Sequence, residues 1–141
     1  MLAYHILIPV FCAIVMNMYM NNNKPKPKDL LYLPPGYLIG LIWTIIFALL
    51  GYVHYLLYNL NNRTNYGSAS IIFILLFSLF YPVINAMNAK YGYFLNLISL
   101  ILSFVVSLIV IRYSLHIFLY LIPLLVWVSF VNLIMLYNLM L

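Results

Sequence analysis

The chain has 141 residues, 68% of them hydrophobic and 5% charged, with a formal net charge of +5 and a mean hydropathy of +1.14. A water-soluble domain of this length could not keep so much apolar surface dry, so the bilayer is the solvent; at about 20 residues per helical crossing there is room for about five crossings and no soluble domain. Asp29 is the only carboxylate and Cys12 the only cysteine, which excludes paired-carboxylate acid–base chemistry, a Ser-His-Asp triad, proton relay through buried acids, an internal disulfide and a Cys-rich metal site.

The class expected is an all-α membrane protein, one bundle of five transmembrane helices over residues 1–141. A barrel needs alternating polar positions that the sequence lacks. Residues 1–20 are apolar with Asn17 near the end, and they read as the first crossing. A secretory signal peptide is the competing reading, against which stand the missing basic n-region and cleavage site. Residues 21–33 (NNNKPKPKDLLYL) are the one markedly polar stretch, and the two Lys-Pro steps favour extended chain over the membrane surface or folded back over the bundle mouth.

The second crossing, about 35–58, opens on Pro34-Pro35, tolerated because first-turn amides have no intrahelical partner. The third, about 68–87, has Pro82 inside it, which predicts a kink and a freed carbonyl near Ser78. After a short turn, Asn88 to Gly92, the fourth runs over about 93–111. The fifth runs over about 115–137, with Pro123 interior.

Five crossings put the termini on opposite faces. Lys24, Lys26, Lys28 and Lys90 then share one face, and Arg63 and Arg112 the other. By the positive-inside rule the lysine face, with the first loop and the C-terminus, is cytoplasmic and the N-terminus is not. All six cations end apolar runs, so they meet lipid headgroups; no folded basic surface exists for nucleic acid. No internal repeat is visible, which weakens an ion-coupled transporter reading.

Trp43, Phe47, Gly51 and His54 recur at helical spacing and share a face. Trp43 lies about 12 Å beyond Pro35, and Trp127 about 15 Å before Tyr137, at 1.5 Å per residue. Both indoles are therefore near mid-membrane at matching depth, too deep for an aromatic belt. Two readings stand: simple core packing, or opposite walls of a ligand cavity in which each indole N–H finds an acceptor. Tyr120, Trp127, Val131 and Ile134 can share a side of the fifth helix, which Pro123 loosens. Ser78 and Tyr81 lie one turn apart beside Pro82. An apolar chamber with a few hydroxyls, a histidine and two indoles suits a large flat hydrophobic ligand, of which tetrapyrroles and sterols are examples.

His54 has two readings, haem ligation or a hydrogen bond in the packing, and no residue pattern singles out the first. No metal site is expected. His5 and His116, near helix ends, are expected to meet headgroups. Ser99, Ser103 and Ser107, and Gly36-x-x-x-Gly40, are small-residue stripes that let helices approach, inside the bundle or as the seam of a homodimer.

These residues resemble the translocator protein/tryptophan-rich sensory protein (TspO/MBR) family. In the second helix Pro34, Pro35, Gly40, Trp43, Thr44, Phe47, Gly51, Tyr55 and Leu56 fall in register with its pattern PPxWxFGxxWTxLYxxMGxAxYLVW. In the fifth, Leu121, Ile122, Pro123, Leu125, Trp127, Val128, Ser129 and Phe130 fall in register with LLPYLLWVSFAxxLN. The chain departs from the family where Asn-x-x-Trp of helix three becomes Ser78 and Tyr81, where Leu124 replaces a Tyr, where the late Asn of helix five falls at Met135, and where an acidic residue is missing near Leu97. Tyr32 stands where the family has the loop tryptophan, and the tail after Tyr137 has no Lys or Arg to complete the proposed sterol motif.

The resemblance implies binding of porphyrins such as protoporphyrin IX and haem, with cholesterol in some members and no required cofactor. It also implies, for some members, light-dependent porphyrin breakdown in which Trp43 and Trp127 would be the catalytic pair. The ligand would be lined by Tyr32, Trp43, Phe47, His54, Ser78, Tyr81, Trp127 and Val131. A porphyrin or sterol transporter and a structural partner subunit are the alternatives. A eukaryotic-type member would sit in the outer mitochondrial membrane.

Overall fold

A computed structural model describes residues 1–23, 32–61, 65–87 and 89–141, and in those residues every regular element is helical. The elements are α1 (Leu2–Asn23), α2 (Gly36–Asn61), α3 (Tyr66–Met87), α4 (Ala89–Ile111), α5 (Leu115–Leu119) and α6 (Ile122–Met140). With α5 and α6 counted as one broken crossing, five spans are long and apolar enough to cross a bilayer. The protein is a multi-pass integral membrane protein. Lys24, Lys26, Lys28, Asp29 and Arg63 lie outside the described residues, as does most of the polar first loop.

The helices are longer than expected because polar residues alone do not end a helix. Asn21 to Asn23 continue α1, and Asn59 to Asn61 continue α2. Of the turn expected at 88–92, Asn88 lies outside the described residues and residues 89–92 instead open α4, since Ala89 to Tyr91 contain no breaker. At its other end, α3 begins at Tyr66, two residues before the expected start, with Asn65 as its cap. Its Oδ1 accepts from the Ser68 amide at 2.8 Å and its own amide donates back to Ser68 Oγ at 2.9 Å, a capping box with serine in the usual Glu/Gln position. The Asn65 Nδ2 also donates to the Leu57 carbonyl at 2.8 Å, tying the turn to the end of α2.

Pro123 does more than loosen the last crossing. It has no N–H for the Leu119 carbonyl, and the chain answers with tight three-residue steps, Tyr120 N–H to Ile117 O at 3.2 Å and Leu121 N–H to Phe118 O at 2.8 Å. The crossing therefore breaks into α5 and α6, and Tyr120 sits in the break, its ring 5.1 Å from Tyr52.

Interior stripes at helical spacing build the core. Ile46, Leu50, Val53 and Leu57 of α2 meet Ile71 and Ile74 of α3, Val106 and Val110 of α4, and Leu121, Leu124 and Val128 of the last crossing. Ser99, Ser103 and Ser107 are all buried within the single chain, so that stripe serves packing rather than a dimer seam. Gly40 is likewise occupied from inside, because Asn17 of α1 lies against it and donates to its carbonyl at 3.1 Å. α1 packs chiefly on α2 with a little contact to α3, α4 packs on α3 and α6, and α5 reaches α2. The backbones of α2 and α6 make few close approaches, and both helices contribute side chains to the shared core.

Candidate functional site

The expected residues divide between two places. Trp127 is buried at 7% exposure in the core, and Trp43 and Val131 pack half-buried against that same cluster. Phe47 is buried beside Trp43 with its ring edge-on at 6.1 Å. Both indoles are turned into protein, not toward acyl chains. At the start of α2, Tyr32 meets Tyr137 of α6 edge-on at 5.7 Å, so the two ends from which the indole depths are counted lie side by side. Tyr32 is exposed and has a φ of 68°, an unusual value for a bulky residue, so the chain turns sharply there before entering α2.

Gly51 and His54 do not share the indoles' surroundings. A Cβ on Gly51 would collide with the carbonyl oxygen of His5, so this face of α2 is the seat of α1. Pro9 explains why that carbonyl points outward: a residue without N–H at position 9 leaves the His5 carbonyl without its helical donor. His5 Nδ1 and His54 Nδ1 are 2.8 Å apart, one donating to the other. His54 is thus hydrogen-bonded within the packing, and His5, expected at the headgroups, is instead its partner; the residues are 49 apart in sequence and no spacing rule links them. His116 is exposed, as expected of a residue near a helix end.

Two apolar clefts open on the outside of the bundle. One, of about 380 Å³, lies between α1, α2 and α3 and is lined by Tyr4, His5, Ile8, Pro9, Gly51, His54, Ile72 and Leu75. The other, of about 260 Å³, runs along α3 past Phe73, Phe77, Phe80 and Tyr81. Neither is lined by Trp43, Phe47, Trp127 or Val131.

Buried polar atoms mark the interior more clearly than open space does. Trp127 Nε1, Ser78 Oγ, Ser107 Oγ and Asn132 Oδ1 are buried with no hydrogen-bond partner. Asn132 and Asn96 were not singled out by the sequence, since an isolated asparagine in an apolar run fits no motif. Asn132 Nδ2 donates to the carbonyls of Asn96 at 3.0 Å and Val128 at 2.8 Å. A flip of the amide would set its oxygen against two carbonyl oxygens, so the orientation is fixed and Oδ1 is the unpaired acceptor. Asn96 donates to the Gly92 carbonyl and to the Met135 sulfur, and Tyr81 approaches its side chain. Asn132 lies one turn before Met135, the position at which the resembled pattern has its late Asn.

Both indoles stand in the packed interior, and the chemistry available beside Trp127 among the described residues is aromatic stacking and the unpaired indole N–H. No group of three or more potential metal ligands occurs among the described residues. A model of the TspO/MBR family matches residues 2–140. No curated protein and no solved structure matches the chain.

Proposed function

The chain belongs to the TspO/MBR family, and from that premise we propose that it binds porphyrins, protoporphyrin IX and haem, inside the membrane between Trp43 and Trp127. In general terms the family is concerned with binding or transport of porphyrin- and sterol-like molecules in membranes. One observation carries the finer reading: Trp127 is nine-tenths buried in the cluster that Trp43 packs against, and its Nε1–H has no acceptor. An unpaired buried N–H is costly, about 1–3 kcal/mol, and a ligand acceptor removes that cost. The unpaired oxygens of Asn132 and Ser78 add acceptors for a ligand's own N–H or O–H.

Access follows from the packing. The backbones of α2 and α6 make few close approaches, so a flat macrocycle would enter between them by rotation of Trp43, Phe47 and Val131, with the Tyr32–Tyr137 contact at the mouth. His54 takes no part, being engaged with His5. In light, an indole touching an excited macrocycle can pass it an electron, with dioxygen as the final oxidant; bleaching of bound porphyrin is the readout of that step.

The test is a titration of the detergent-purified protein with protoporphyrin IX, following tryptophan quenching and porphyrin absorbance. The expected result is saturable binding that weakens at least about tenfold in Trp43→Phe/Trp127→Phe, the scale of one lost charged hydrogen bond plus stacking. Absorbance changes identical in wild type and double variant would falsify the site.

A further inference from the structure

Two imidazoles face each other at the cleft between α1, α2 and α3. His5 Nδ1 and His54 Nδ1 stand 2.8 Å apart, with ring centroids 4.9 Å apart, and both residues are half-buried. The hydrogen bond between them uses one proton, so one Nδ1 donates and the other presents a bare lone pair.

We infer that this pair is a two-coordinate site for a soft monovalent metal cation of the Cu(I) class, held between the two Nδ1 atoms. Neutral imidazole ligates metals through either nitrogen. On binding, the donor ring passes to its other tautomer, with the proton on Nε2, and both Nδ1 lone pairs then meet the metal. No proton is released and neither ring changes charge.

The rearrangement is small. A metal–imidazole bond of about 2 Å sets the two nitrogens about 4 Å apart, against 2.8 Å in the hydrogen bond. Both rings line the cleft of about 380 Å³, which gives them room to turn apart as side chains. The backbones stay where they are, because α1 packs on α2 more extensively than any other two helices pack together, with the His5 carbonyl seated on Gly51.

Ligand number and charge select the metal. Zinc takes four protein ligands in a structural site and three in a catalytic one, and among the described residues no third His, Cys, Asp or Glu joins this pair. A d¹⁰ monovalent ion is satisfied by two ligands in line, and imidazole is among the ligands that copper takes. The other residues lining the cleft are Tyr4, Ile8, Pro9, Gly51, Ile72 and Leu75, and the tyrosine rings beside His5 are those of Tyr55 and Tyr58, at 5.5 and 6.0 Å. None of these has a carboxylate. A divalent ion would therefore bring two uncompensated charges into a membrane-spanning region, and a monovalent ion only one. This inference is independent of the porphyrin reading, since neither indole lines the cleft.

Ag(I) is the probe, because it shares the charge and the two-ligand preference of Cu(I) and needs no reductant. Cys12 is a competing soft ligand, so the full-length chain carries Cys12→Ser and is titrated in detergent and chloride-free buffer. One Ag(I) per chain should bind, with an affinity that falls at least about tenfold in His5→Gln and in His54→Gln and is unchanged in His116→Gln. Tenfold is the lower end of the loss, about 10–100-fold, when a group merely hydrogen-bonded to a metal ligand is removed. Cu(I) under ascorbate should compete for the same place, and Zn(II) should not. Imidazole ¹⁵N spectra of the chain with all three histidines intact do not depend on those variants folding: Ag(I) should shift the Nδ1 signals of two rings and leave His116 unmoved. An affinity untouched by both substitutions, Nδ1 signals that do not respond, or Zn(II) displacing Ag(I) from the two rings overturns the site.

Discussion

At the scale of single residues, function and packing are separated by what each side chain touches. Gly51 was grouped with the indoles by helical spacing, but its role is to admit the His5 carbonyl that Pro9 has freed. Gly51→Ala puts a methyl into backbone, which cannot move aside as a flexible side chain would. The expected cost is about 1–3 kcal/mol, read as a lower thermal midpoint in detergent, with porphyrin affinity little changed. Loss of porphyrin binding at unchanged stability would return Gly51 to the ligand wall. Asn132 behaves in the opposite way. Asn132→Leu gives up two side-chain hydrogen bonds, worth about 0.6 kcal/mol each in a membrane setting, and removes an unpaired acceptor at the same time. Stability should therefore stay within about 1 kcal/mol of wild type, while porphyrin binding weakens. A large loss of stability would mean that the amide is structural and not kept for a ligand.

At the scale of elements, spans are legible in sequence because their apolar length is set by bilayer thickness, and the two proline positions on which register was read, Pro34-Pro35 and Pro123, do bound or break helices where placed. Contacts between helices are not legible in the same way. Ser99, Ser103 and Ser107 predict close approach from spacing alone, but whether toward a neighbour in the chain or a second copy depends on which side the other helices occupy. Burial of all three decides for the chain's own interior. Ser103→Leu should accordingly overpack the junction of α4 with α3 and α6 and cost about 1–3 kcal/mol in the monomer, measured by unfolding in dilute detergent. If that variant instead kept its stability and changed only oligomeric state, the stripe would be an outer seam. The His5–His54 bond lay further out of reach. Two histidines on different helices gain meaning only once α1 is docked, and the docking rests on a carbonyl, which has no side-chain signature.

For the molecule as a whole, the odd number of spans has a consequence that needs no contact at all. With Leu2–Met20 as the first span and Leu115–Met140 as the last, the two ends emerge on opposite sides. The His5–His54 hydrogen bond and the Asn65 cap then belong to the N-terminal side, and the Tyr32–Tyr137 contact belongs to the other. Lysines 24, 26, 28 and 90 flank the spans at the second of these sides in the sequence, and the positive-inside rule predicts that side to be cytoplasmic. A porphyrin taken through that mouth would come from the cytosol. Fusions at the C-terminus in a bacterial host read this directly: green fluorescence without phosphatase activity is the expected pair of results. Replacing Lys24, Lys26 and Lys28 with Gln should erode that preference, since each contributes to the bias of a short loop. An active C-terminal phosphatase in the unsubstituted chain would reverse the molecule, placing the Tyr32–Tyr137 mouth outside and the His5–His54 contact in the cytosolic half.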